Sequence, residues 1–111
     1  MSDKEKKYLS DILSSIRYID LHLDGKRDFS VLENDFTVKR AIERELEIIG
    51  EATNQLLKLN PEIEISSGRK IVDTRNRIIH SYDAVDENII WRIIIRDIPV
   101  LEKEVKELLN T

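Results

Sequence analysis

The sequence of 111 residues contains no cysteine. That excludes a disulfide framework, a thiolate metal site and a cysteine nucleophile. Glycine occurs three times and proline twice, and aromatic residues make up 5% of the chain. Sandwiches and barrels need a turn after every strand, so this scarcity argues against them and for a chain of helices. Only two histidines are present, His22 and His80. They are too few for a closed histidine metal site within one subunit, so no metal or other cofactor is expected. The richest apolar stretch, Ile89 to Val100, is interrupted by Arg92, Arg96 and Asp97 and is too short and too charged to span a membrane. No signal-peptide pattern follows the mixed charges of Asp3 to Lys7. These absences predict a cytoplasmic protein, folded as one domain over residues 1–111.

Charge, in contrast, is abundant: 36% of the residues are charged, and 22 acids against 18 bases give a net charge of −4. Apolar residues recur at helical spacing in four segments. Tyr8, Ile12, Ile16, Ile19 and Leu23 form the stripe of the first, which Gly25 is placed to end in a left-handed conformation. Lys26 to Asp35 reads as a polar connection whose Phe29, Val31 and Leu32 tuck under the bundle. Asn34 or Asp35 caps the second helix, with Ile42, Leu46, Ile49 and Leu56 on its apolar face and Asn60-Pro61 at its end. Gly50 interrupts that face at a cost of about 1 kcal/mol relative to Ala, which a close helix contact would explain. The third helix is short, from about Arg69 to His80. The fourth, capped near Asp86, reaches about Leu109, and Pro99 must kink or split it. The expected fold is all-α, an antiparallel four-helix bundle. Ile89 to Ile95 is apolar around nearly its whole circumference. Either a second subunit or the long connection covers the extra face, and a two-fold homodimer through helix four and the motif region is the favoured reading.

The densest polar cluster lies in the third helix. Arg69, Lys70, Arg75 and Arg77 against Asp73 make a local charge of +3 within the acidic chain, and Arg92 and Arg96 add to it if helix four lies alongside. Asn76 and His80 are one turn apart and share a face. Histidine exchanges protons near neutral pH, and arginine grips phosphate with paired hydrogen bonds. Asparagine can orient the imidazole or a phosphate oxygen. Such a set suits RNA cleavage by its own 2′-hydroxyl, which needs a base, an acid and phosphate stabilisation. Arg69, Lys70 and Arg77 are candidate contacts to RNA phosphates. Taken alone, the same residues also describe an ordinary charged helix surface. His22, near the end of the first helix, reads as a surface residue interacting with the helix dipole.

Arg75 to Tyr82, R-x4-H-x-Y, resembles the motif of the HepT-like toxins of the HEPN superfamily. Lys39 to Leu56, with Ile-Gly-Glu-Ala at 49–52, is similar to that family's second helix. Val85 to Trp91 and Asp97 to Leu109 are similar to the two halves of its last helix. Ile63 to Thr74 departs from the family in lacking the tryptophan that often precedes the motif. The resemblance implies a helical homodimer and a metal-independent endoribonuclease, with Arg75 and His80 catalytic and Asn76 supporting. It also implies a type VII toxin–antitoxin pair, in which a minimal nucleotidyltransferase neutralises the toxin by transferring AMP to Tyr82. A non-catalytic helical partner of that nucleotidyltransferase is the alternative it leaves open.

Overall fold

The computed structural model describes residues 1–80 and 86–110. Helix α1 (Asp3–His22) begins with a reciprocal cap. Ser2 Oγ accepts from the Glu5 amide at 3.1 Å, and the Glu5 carboxylate accepts from the Ser2 amide at 3.2 Å. It ends where Asp24 and Gly25 turn left-handed, with φ of 56° and 71°. Helix α3 (Phe36–Leu59) starts at Asp35, whose carboxylate accepts from the Val38 amide at 3.1 Å, and stops at Asn60, before Pro61. Helix α4 spans Gly68–His80.

The last helix is broken, as Pro99 requires. Asp86 caps α5 (Glu87–Arg92), a π-helical turn follows over Ile93–Asp97, and α6 runs over Ile98–Leu109. Pro99 has no N–H, and its ring would clash with the carbonyl four residues earlier in a regular helix. The wider turn, with the Ile98 amide bonded to the Ile93 carbonyl, absorbs that conflict.

One expectation needs correction. The connection from Lys26 to Asp35 contains a short helix, α2 (Phe29–Asn34), capped by Asp28. Its Leu32 is fully buried, and the Phe29 ring meets Trp91 edge-on at 5.9 Å. This chain's own connection therefore covers part of the apolar circumference of α5, and Ile90, Ile93 and Ile94 are buried. Ile95 and Val100 remain 44% and 46% exposed. His22 stands in the last turn of α1, as expected, and its Nε2 also lies 3.2 Å from Glu45 Oε2, joining α1 to α3.

The main helices pack antiparallel in sequence, α1 against α3 and α3 against α4, with α6 against α1. Leu9, Ile12, Ile16 and Ile19 of α1 meet Ile42, Leu46, Ile49 and Leu56 of α3 in one core, which Ile71, Ile78, Ile94, Leu101 and Val105 complete. Each such side chain contributes roughly 1.5–3 kcal/mol by leaving water. No helix among the described residues is long and apolar enough to cross a membrane.

One core-facing charge opposes this packing. Glu43 is 5% exposed and its Oε1 has no hydrogen-bond partner. Burial pushes its carboxyl above the ordinary 4.5, against the attraction of Arg40 and Lys39. The folded chain thus holds this proton more tightly than the unfolded chain. Glu43 accordingly favours folding at acid pH and loses that contribution as pH rises through its raised value. Glu43→Gln is expected to raise the melting temperature at neutral pH, with the gain fading as pH falls through the raised value and gone by about pH 4. Thermal melts across that range check it.

Candidate active site

Helix α4 carries the motif, and its buried residues set its rotation. Ile71, Val72, Thr74 and Ile78 face inward, which leaves Arg69, Lys70, Asp73, Arg77 and His80 exposed. Arg75 and Asn76 lie at the border, half-buried.

Arg75 is placed by the crossing of α3 over α4. At Gly50 the helices approach so closely that a Cβ there would stand 2.2 Å from Arg75 Cβ and 3.2 Å from the Ile71 carbonyl oxygen. The missing side chain lets the stem of Arg75 lie against α3. Its guanidinium then reaches two partners: Nη2 lies 2.5 Å from Glu51 Oε2, and Nη1 donates to Asn76 Oδ1 at 2.7 Å. The group opens onto a groove of about 350 Å³ between α1, α3 and α4. Tyr8, Ile48, Ala52 and Ile79 line its apolar part, and two further ion pairs, Lys7–Asp11 at 2.8 Å and Arg44–Glu47 at 3.1 Å, stand at its walls.

His80 is in the last turn of α4. By helix geometry it lies about 140° around the axis from Arg75 but only about 40° from Asn76. Asn76 is therefore the residue between them: it takes the Arg75 guanidinium on its oxygen and shares a face with His80. Tyr82 lies outside the described residues.

The other expected phosphate contacts gather elsewhere. Arg69, Lys70 and Arg77 line a groove of about 540 Å³ between α4 and α5, where Arg92 joins them. Lys70 Nζ is 3.0 Å from the buried Asp97. Arg69, Arg77 and Arg92 have no carboxylate partner among the described residues, although Asp73 shares the groove. Arg96 faces a separate depression with Asn88, Trp91 and Ile95. Glu51 was visible in the sequence only as part of the Ile-Gly-Glu-Ala block, with no role assigned to it. Arg92 joins the basic cluster as expected if the last helix lies alongside, whereas Arg96 does not.

The profile of the HepT-like ribonuclease family matches residues 12–108, which include α3, the Arg75–His80 pair and α5. The chain belongs to that family. It is similar to a candidate RNase of Caldanaerobacter subterraneus subsp. tengcongensis, with 37% identity over 106 residues, 95% of this chain and 94% of that protein. A ribonuclease of Thermococcus cleftensis, named as a probable HepT, is 33% identical over 112 residues, 97% of this chain and 98% of that one. A candidate RNase of Methanocaldococcus jannaschii is 31% identical over 105 residues, 91% of this chain and 93% of that one. No solved structure matches the chain.

The close approach at Gly50 is testable. Ala is intrinsically better than Gly in a helix by about 1 kcal/mol, yet Gly50→Ala must displace the Arg75 stem or the α4 backbone. A net destabilisation of about 1–3 kcal/mol is expected, as for overpacking. Denaturant unfolding measures it.

Proposed function

We propose that this HepT-like protein is a metal-independent endoribonuclease toxin in which Arg75 and His80 carry catalysis and Asn76 supports them. The observation that carries the reading is the Arg75 guanidinium, fixed at the mouth of a groove while Asn76 links it to the face of His80. In this reading the 2′-oxygen of the substrate attacks the adjacent phosphorus as its proton passes to a histidine. The bond to the 5′-oxygen breaks, and that oxygen takes a proton from a histidine acting as acid. The products are a 2′,3′-cyclic phosphate and a 5′-hydroxyl. Arg75 stabilises the charge on the phosphoryl oxygens. One chain supplies one motif histidine, so a two-fold homodimer that brings in the partner subunit's His80 completes the pair. Exposed Ile95 and Val100 on the α5–α6 surface support an interface near helix four.

Arg69, Lys70 and Arg77, joined by Arg92, hold flanking RNA phosphates in the α4–α5 groove. The protein acts in the cytoplasm, where a partner nucleotidyltransferase silences it. That enzyme joins the α-phosphate of ATP to the Tyr82 phenolic oxygen and releases pyrophosphate. The added bulk and negative charge then oppose entry of a phosphate beside Arg75.

Purified protein is expected to cleave an RNA oligonucleotide in the presence of EDTA and to leave cyclic-phosphate ends. His80→Ala should lower the rate by about 100-fold or more, and a 2′-deoxy residue at the cut site should block it. Equal cleavage by His80→Ala overturns the proposal. If the wild type cleaves no RNA but gains the mass of AMP at Tyr82 from a nucleotidyltransferase, the non-catalytic partner reading replaces it.

A further inference from the structure

Arg75 does not meet substrate from a free side chain. Its guanidinium sits in a chain of polar contacts that begins on α3. Gln55 Nε2 donates to Glu51 Oε1 at 3.0 Å, which fixes the Glu51 carboxylate one turn along the same helix. The other oxygen of that carboxylate lies 2.5 Å from Arg75 Nη2. Nη1 of Arg75 donates to Asn76 Oδ1 at 2.7 Å. With its oxygen so engaged, Asn76 presents its amide N–H groups elsewhere. Gly50, immediately before Glu51, keeps the Arg75 stem pressed against α3.

We infer that Glu51 is a positioning residue: held by Gln55, it fixes the plane of the Arg75 guanidinium, with Asn76, so that the remaining N–H groups face the scissile phosphate. This rests on the ribonuclease reading above. Guanidinium carries five N–H groups; Asn76 accepts one from Nη1, and the Glu51 carboxylate pairs by charge with Nη2. The remaining N–H groups are left for a phosphate. An arginine side chain is long and has many rotamers, so an unanchored guanidinium would lose that freedom on meeting the substrate. Two anchors set beforehand remove that loss from the catalytic step. The Arg75 side chain is 25% exposed and Glu51 46%, so the clamp stands at the surface where a substrate reaches it.

The opposite role for the same contact is a gate, in which Glu51 neutralises Arg75 and competes with phosphate. The two differ in sign. If Glu51 positions Arg75, Glu51→Ala lowers kcat on an RNA oligonucleotide by about 10- to 100-fold with little change in KM. Glu51→Gln, which keeps the shape and an acceptor, recovers part of the loss. In an Arg75→Ala background, Glu51→Ala costs nothing further, because its effect passes through Arg75. Nitrogen-15 spectra of the arginine side chains add a readout that needs no RNA: the Arg75 Nη groups rotate slowly in the wild type and freely in Glu51→Ala. Should Glu51→Ala fail to fold, Gln55→Ala loosens the same carboxylate from its other side and must show a weaker form of the same loss.

Rates in Glu51→Gln equal to or above wild type overturn the positioning role, as do losses that multiply in the double variant. Cleavage that His80→Ala abolishes and Glu51→Ala leaves intact overturns the positioning role alone. A wild type that cleaves no RNA overturns the ribonuclease reading, and the arginine spectra then decide by themselves whether Glu51 holds Arg75.

Discussion

The crossing of α3 and α4 at Gly50 determines where the other parts of the site stand. A glycine inside a 24-residue helix weakens it locally, and the gain is contact. With no Cβ at position 50, the Arg75 stem fits against α3. The apolar residues on either side, Ile49 and Leu46 on α3 and Ile71 and Ile78 on α4, are buried and hold the register of the crossing. That register puts Glu51, one residue beyond the glycine, within reach of the guanidinium, and it turns Asn76 and His80 toward the open face. Packing and chemistry are one constraint here: a wider crossing would leave Arg75 far from Glu51.

The same crossing gives α4 two electrostatically different sides. On the α1–α3 side each cation faces a carboxylate: Lys7 with Asp11, Arg44 with Glu47, Arg75 with Glu51. Those charges offset one another, and the floor between them is apolar. Exposed pairs of this kind contribute only about 0–1 kcal/mol to stability, so their effect is on local potential more than on folding. On the α5 side Arg69, Arg77 and Arg92 stand without such partners among the described residues. The uncompensated cations therefore lie on the second side, and the anchored Arg75 lies at the edge of the first. On the proposed ribonuclease reading, binding and bond breaking draw on different sides of one helix.

Much of this was legible in the sequence, and the reasons are local. Asp35, Asn60-Pro61, Gly25 and Asp86 act on their immediate neighbours, so the helix ends followed from residue type and spacing. Gly50 was legible as an exception: its position on an apolar helical face required a close neighbour, though not which one. The motif residues are likewise a property of one helix. What escaped depends on contacts between segments distant in the chain. Phe29 finds Trp91 across 62 positions, and that contact gives the short α2 its reason to fold. His22 finds Glu45 on another helix. Pro99 announced a break, but not that the chain would widen into a π turn ahead of it.

Lys70 shows how tertiary structure changes the meaning of a charge count. From sequence it is one of four bases between Arg69 and Arg77, indistinguishable from the others as a phosphate contact. In the fold it stands 3.0 Å from Asp97, at the end of the π turn, where that carboxylate is 7% exposed. A buried carboxylate left unpaired is costly, so part of the charge of Lys70 is committed to joining α4 to the last helix. Arg92, twelve residues beyond His80 in the chain, supplies the replacement from α5. The basic groove keeps its strength because the helix that consumes one cation through Asp97 returns another through Arg92. Arg92 immediately precedes the π turn and Asp97 ends it, so the residue that supplies a cation to the groove and the one that engages a cation flank the break in the last helix.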